Sequence, residues 1–258
     1  MNEEVVTLKE LEAGVVQVTL RDEAHKNTFS AELIQGLAEV FEEIKTNIQY
    51  KAVILTGYDS YFASGGTQES LLYLSEGKGN FTDIAAGEGN VGSNLYSLAL
   101  DCPIPVISAM QGHGIGGGFV MGLFADFVIL SRESIYTTNF MKYGFTPGMG
   151  ATFILPHKLG INLAEEMLLT AKTYYGEDLR KRGVSFPVLP RSEIAAYALD
   201  LARNLAEKPR HSLVTLKDHL VADIRKKLPE IIAQELVMHE KTFNQPEVKD
   251  RINALFGN

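Results

Sequence analysis

Apolar residues fall along the chain in two rhythms. Runs at Val5 to Leu8, Val15 to Leu20, Ala52 to Thr56, Pro105 to Met110 and Phe127 to Ser131 read as strands. Between several of them apolar positions recur at helical spacing. In SAELIQGLAEVFEEIKTN, Leu33, Leu37 and Phe41 mark one helix face, Ser30 is placed to cap the first turn, and YKAVILTG follows as a buried strand. A second strand-helix-strand unit runs from IPVISAM through QGHGIGGGFVMGLFA to DFVILS. After about residue 160 the strand signals stop, and LAEEMLLTAK, IAAYALDLARNLAEK and LPEIIAQELVMHEKTF read as amphipathic helices. The pattern predicts an α/β fold, with a core over residues 1–195 and a helical region over 196–258. From Ser75 to Ser93 the chain carries five glycines and little periodicity, the signature of a long loop, and loops of that length usually serve function or are disordered.

Composition narrows the picture. A chain of 258 residues with 45% hydrophobic and 22% charged content can bury a substantial core and does not read as disordered. No basic-then-apolar leader and no run of about 18 apolar residues occurs, so a cytoplasmic protein is expected. The single cysteine, Cys102, has no internal disulfide partner and reads as a small buried hydrophobe. A net charge of -8 disfavours nucleic acid and anionic membranes as partners, since both need a basic footprint.

The glycine cluster carries the chemistry. Gly112, Gly114 and Gly117 satisfy G-x-G-x-x-G between a strand and a helix, with Glu133 near the place of a ribose-binding acid. A dinucleotide fold normally opens with this unit, however, and here a whole strand-helix unit precedes it. The glycines can also serve close helix-to-strand packing alone. In a third reading, the outward N–H groups of the helix N-terminus stabilise an oxyanion. A second donor is then required, and YFASGGT, another glycine turn directly after a strand, is placed to supply it.

FASGGT, QGHGIGGG, ADFVILSRES and KYGFTPGMGAT, in that order over nearly the full chain, resemble the crotonase (enoyl-CoA hydratase/isomerase) superfamily. The resemblance implies a crotonase-fold spiral ββα core with a C-terminal helical trimerisation region. It places the oxyanion-hole N–H groups on Gly66 and Gly117. In the family's hydratases, two glutamates work as acid and base; at those positions this chain has Val120 and Phe140. Neither transfers a proton, so hydration is not expected, and apolar groups there keep water from an enolate. Decarboxylation needs the hole and no glutamate pair. QGHGIGGGF, TTNFMKYGFTPGMGA, LVTLKDHL and MHEKTF resemble the decarboxylating homologues of polyketide β-branching cassettes. That resemblance implies loss of CO2 from a 3-methylglutaconyl thioester held on an acyl carrier protein, giving a 3-methylcrotonyl or isomeric methylbutenoyl product. The implied carrier group is phosphopantetheine or coenzyme A, with no other cofactor and no metal.

By the same resemblance, His239 is the proton donor to the dienolate, with a near-neutral pKa suiting that role. It shares a helix face with Ile232, Leu236 and Phe243. A lysine near the glycine-rich loop binds the substrate carboxylate; an ungapped count reaches Asn80, and Lys78 is the nearest cation, with Lys142 in reserve beside the wall residue Tyr143. His113 lies in the oxyanion turn and is placed to set it by hydrogen bonding. Thr67 and Gln68 either contact the acyl chain or cap the next helix. Lys26 and Arg21 stand where family members that bind coenzyme A often carry basic residues, and are the candidates for meeting an acidic carrier protein. The other histidines, His25, His157, His211 and His219, show no metal-like spacing, and no G-x-S-x-G elbow occurs. A homotrimer or hexamer is expected. An enoyl-thioester isomerase and a non-catalytic binding module stay open as alternatives.

Overall fold

The computed structural model describes residues 4–79 and 94–256. Its strands are β1 (Val6–Glu12), β2 (Val15–Leu20), β3 (Thr28–Phe29), β4 (Ala52–Thr56), β5 (Tyr61–Ala63), β6 (Gly65–Gly66), β7 (Val106–Met110), β8 (His113–Ile115), β9 (Phe127–Ser131), β10 (Ile135–Thr137), β11 (Tyr174–Tyr175) and β12 (Val188–Leu189). Its helices are α1 (Ala31–Thr46), α2 (Gln68–Ser75), α3 (Leu98–Asp101), α4 (Gly117–Leu123), α5 (Ala151–Leu159), α6 (Ile161–Thr170), α7 (Gly176–Lys181), α8 (Arg191–Ala206), α9 (Arg210–Thr242) and α10 (Pro246–Leu255).

The main sheet has the order β1-β2-β4-β7-β9-β12 and is parallel apart from the β1–β2 hairpin. Its central strands are apolar at consecutive positions because both faces are covered. Val53, Leu55, Val106, Met110 and Val128 face the main core with α1, while Val15, Ile54, Ile107, Ala109 and Ile129 face α8. On α1, Ser30 Oγ accepts from Leu33 N at 3.2 Å, and Leu33, Leu37, Phe41 and Ile44 are buried. The division expected at residue 195 falls inside α8, whose Ile194, Ala198 and Ala202 cover the second face of the sheet. That packing makes α8 part of the core.

Two expectations are corrected. Strands do not stop at residue 160: β11 pairs with β10 and β12 extends the main sheet beside β9. Strands of two residues have no readable periodicity. LPEIIAQELVMHEKTF is also not a separate helix but the end of the 33-residue α9, with Pro229 inside it. A proline near an apparent start reads as a first-turn residue, whereas here it removes one internal hydrogen bond and the helix continues.

Smaller sheets bring the glycine turns together. β5 and β8 pair in parallel, with Ala63 opposite Gly114, so the chain segments leaving them emerge side by side. β3 pairs with β6, bringing Thr28 and Phe29 to Gly65 and Gly66. Asn27, fully buried, fixes this corner: its Nδ2 donates to Leu20 O at 3.0 Å and Phe62 O at 2.9 Å, and its Oδ1 accepts from Asp22 N at 2.6 Å.

Candidate active site

Gly65 takes φ +74°, and a Cβ there would stand 3.0 Å from Gly117 N, so the two glycine turns touch. Gly66 and Gly117 line one small cavity with Leu71, Phe140, Tyr143 and Phe145. Gly117 opens α4, and its N–H has no carbonyl partner within that helix. Phe140 is therefore in the wall of this cavity, as is Tyr143. Val120 is fully buried in the main core on α4 and is not among the lining residues.

His239 faces a neighbouring cavity from α9. Its ring is buried between Phe145 and Phe243, both edge-on to it at centroid distances of 6.3 and 5.8 Å. Nε2 donates to Thr146 O at 2.7 Å, which fixes the Nε2–H tautomer and leaves Nδ1 as the nitrogen that titrates. A near-neutral pKa is not what this environment gives. Burial pushes the imidazole down to about 4, only partly offset by the Thr146 and Pro147 carbonyls. Its neighbour one turn earlier, Glu235, is buried too, and desolvation raises its pKa. Glu235 Oε2 accepts from Gly150 N at 2.6 Å, and Oε1 from Thr152 N at 2.9 Å and Thr152 Oγ1 at 2.6 Å.

Lys78 and His239 line one cavity together with Leu74, Leu236 and Phe243. Lys78 Nζ lies 2.7 Å from Glu76 Oε2, and Lys249 Nζ lies 2.7 Å from Glu76 Oε1. Lys249 and Lys78 together hold the Glu76 carboxyl down to about 2, and Glu76 in turn raises the Lys78 ammonium. Asn80, and most of the glycine-rich loop read from the sequence, lie outside the described residues. Lys142 sits on the turn before Tyr143, with its carbonyl accepting from Arg251 Nη1 at 3.2 Å, and is not in the lining of the His239 cavity.

Thr67 Oγ1 caps α2 by accepting from Ser70 N at 3.1 Å, and Gln68 faces a separate groove with Tyr73 and Glu76; neither lines the Gly66–Gly117 cavity. His113 Nδ1 accepts from Ile135 N at 3.0 Å, tying β8 to β10, and desolvation with the nearby Arg191 charge lowers its pKa. Lys26 carries φ +56°, its Nζ sits 5.8 Å from the Tyr61 ring centroid, and its carbonyl accepts from Ser64 Oγ at 2.6 Å. It thus stands beside the turn that leads into Gly66. Arg21 is exposed and 3.6 Å from Glu23. Glu133 is not ribose-binding material: it accepts from Ser131 Oγ at 2.7 Å and from Arg191 N at 2.9 Å, so it caps α8. Cys102 is buried and its thiol is raised by desolvation, the opposite of an activated nucleophile. Among the described residues, no group of three potential metal ligands occurs, and no helix is long and apolar enough to cross a membrane.

Sequence reading missed Glu76, Lys249 and Glu235, and also Met149, which lines both the Gly66–Gly117 cavity and a small cavity with His239 and Glu235. Glu235 was the findable one, a carboxylate one turn before His239 on a largely apolar face.

A family model described as enoyl-CoA hydratase/isomerase matches residues 10–256. The chain belongs to the enoyl-CoA hydratase/isomerase family. Within that family, it is 65% identical over the full length of both chains to the bacillaene synthase decarboxylase PksI of Bacillus subtilis. A structure from a dehydratase/decarboxylase enzyme couple of polyketide β-branching superposes with a TM-score of 0.94 at 65% identity, covering 98% of this chain and 100% of that one. The ECH2 decarboxylase domain of CurF from Lyngbya majuscula superposes at 0.90 with 48% identity and the same coverage. The fold is the crotonase fold, and the chain is a decarboxylase of this family.

Proposed function

We propose that this decarboxylase removes CO2 from a 3-methylglutaconyl thioester carried on the phosphopantetheine of an acyl carrier protein in polyketide β-branching. The single observation that carries the reading is a continuous run of cavities: the contacting glycine turns line one, Lys78 and His239 line another, and a third shares Met149 with the first and His239 with the second. The thioester oxygen accepts from Gly66 N–H and Gly117 N–H. The carbon–carbon bond to the carboxylate breaks, its electron pair passes through the alkene into the thioester, and the dienolate oxygen is held by the two N–H groups. One proton then returns to carbon, giving a methylbutenoyl thioester and CO2. The balance needs no redox partner. Activity in the cytoplasm and assembly as a trimer or hexamer belong to the same reading.

His239 is neutral at rest, so its proton has to be loaded. A substrate carboxylate in the cavity favours the imidazolium; when it departs as CO2 that support is lost and the proton passes to the dienolate. Lys78 exchanges Glu76 for the incoming carboxylate, while Lys249 keeps Glu76 neutralised. The relatives' decarboxylase names and the absence of the hydratase glutamates at Val120 and Phe140 support this over hydration.

Intact-protein mass spectrometry of a carrier protein loaded with 3-methylglutaconate tests the reading. Enzyme-dependent loss of the CO2 mass is expected, and Lys78→Ala and His239→Ala each slow it by about 10²-fold or more. An unchanged mass with verified loading overturns it. Turnover of a thioester lacking the carboxylate would assign the site to isomerisation instead.

A further inference from the structure

Met149 is placed oddly for a turn residue. It sits in Thr146–Pro147–Gly148–Met149–Gly150 with φ +69°, a left-handed backbone that penalises any side chain. Its two neighbours are glycines with reasons of their own. A Cβ on Gly148 would stand 2.3 Å from His239 Cε1, and Gly150 takes φ +75°. If only the turn mattered, glycine would serve at 149 as well.

Among the described residues, Met149 lines both the Gly66–Gly117 cavity and the His239–Glu235 cavity. Its thioether lies on the α-carbon of Gly117: a Cβ there would meet Met149 Cε at 2.5 Å and Sδ at 2.9 Å. The turn that carries it is pinned from α9. Glu235 takes the N–H groups of Gly150 and Thr152, His239 donates to Thr146 O, and Thr242 Oγ1 accepts from Thr146 N at 3.2 Å. The helix that carries the histidine therefore also holds the turn that carries the methionine.

We infer that Met149 is a specificity-determining residue, the shared wall that limits the β-substituent of the acyl thioester to a group about the size of methyl. The inference rests on the reading that a thioester spans these two cavities. An acyl chain whose carbonyl oxygen meets Gly66 and Gly117, and whose far end reaches His239, has to cross the Met149 thioether. The β-carbon lies midway along that path, so a larger branch there meets the sulfur and terminal methyl. Methionine suits the role, being unbranched, polarizable and wholly apolar.

Met149→Gly tests this, since glycine keeps the left-handed turn and removes the wall. Binding of pantetheine monothioesters of 3-methylglutarate and 3-ethylglutarate, saturated so that they do not decarboxylate and carrying a free carboxylate for the Lys78–His239 end, is measured by calorimetry for the parent enzyme, Met149→Gly and Met149→Leu. The parent enzyme favours the methyl compound. Met149→Gly raises the ethyl-to-methyl affinity ratio by about tenfold or more, the worth of a methylene in an apolar pocket. Met149→Leu, of similar volume, stays within about threefold of the parent. A ratio in Met149→Gly within about twofold of the parent overturns the inference. Met149→Ala gives a second determination if the glycine variant does not fold. Decarboxylation of 3-methylglutaconyl carrier protein by the parent enzyme is followed in parallel, so failure of the proposed substrate shows there and failure of the Met149 inference shows in the ratios.

Discussion

His239 shows how far one residue's surroundings govern its chemistry. Folding lowers its proton affinity, so the unfolded chain binds the proton near pH 6.5 and the folded chain only near about 4. The stability this residue contributes is present above pH 6.5 and is lost as pH falls through that window, by about 3 kcal/mol in total. Glu235 acts oppositely, because its raised pKa makes the folded state hold a proton more tightly than the unfolded one. The comparison that isolates the histidine is His239→Asn. The stability advantage of the parent over this variant should shrink by about 3 kcal/mol between neutral pH and about 4. Urea midpoints at a series of pH values check this, and an advantage that does not change with pH would refute it. The residue itself was legible in the sequence through its helix face and family resemblance. Its charge state was not, because that depends on Phe145 and on the Thr146 carbonyl, which lie far away in the chain.

At the scale of elements, the strands and helices with strong periodicity were legible almost to the residue. β2, β4, β9 and α1 match their apolar patterns because each buries a continuous run or stripe. α9 was legible only at its end, because its first part faces solvent at Leu216 and Leu220 and buries a charge, Lys217. Lys217 Nζ donates to Ala99 O at 2.9 Å and Ile104 O at 3.0 Å and pairs with Asp126 Oδ2 at 2.7 Å. It thereby ties α9 to α3 and to the start of β7, where Asp126 also accepts from Val106 N at 2.7 Å. Lys217→Met leaves Asp126 and two carbonyls without this cation and should cost about 3–5 kcal/mol, read from chemical denaturation. Adding Asp126→Asn should recover part of the loss, as coupled neighbours do not add.

For the whole molecule, docking of this acidic enzyme on the proposed acidic carrier protein depends on local charge. Lys26 stands beside the turn that leads into Gly66, with Arg21 exposed in the same segment before it. Reversing both, Arg21→Glu with Lys26→Glu, should raise KM for a loaded carrier protein by about tenfold with kcat nearly unchanged, and leave a free pantetheine thioester unaffected. Steady-state kinetics on the two substrates at low ionic strength decide it; equal effects on both would place these residues in the chemistry rather than the docking. The site as an assembly was half legible. Motifs on adjoining strands could be paired from their order alone, whereas the Met149 wall joins residues distant in sequence and breaks the ordinary rule for its backbone. The same architecture sets what lengths evolution can tolerate. α9 is clamped by Lys217 near its start and carries Glu235, His239 and Thr242 near its end, so it works as a ruler. Losing one residue between clamp and histidine would turn His239 by roughly 100° and draw it back about 1.5 Å, off Thr146 and out of the cavity. Descendants of this chain are therefore free to lengthen their surface loops, but in that stretch of helix they can substitute residues and cannot gain or lose one.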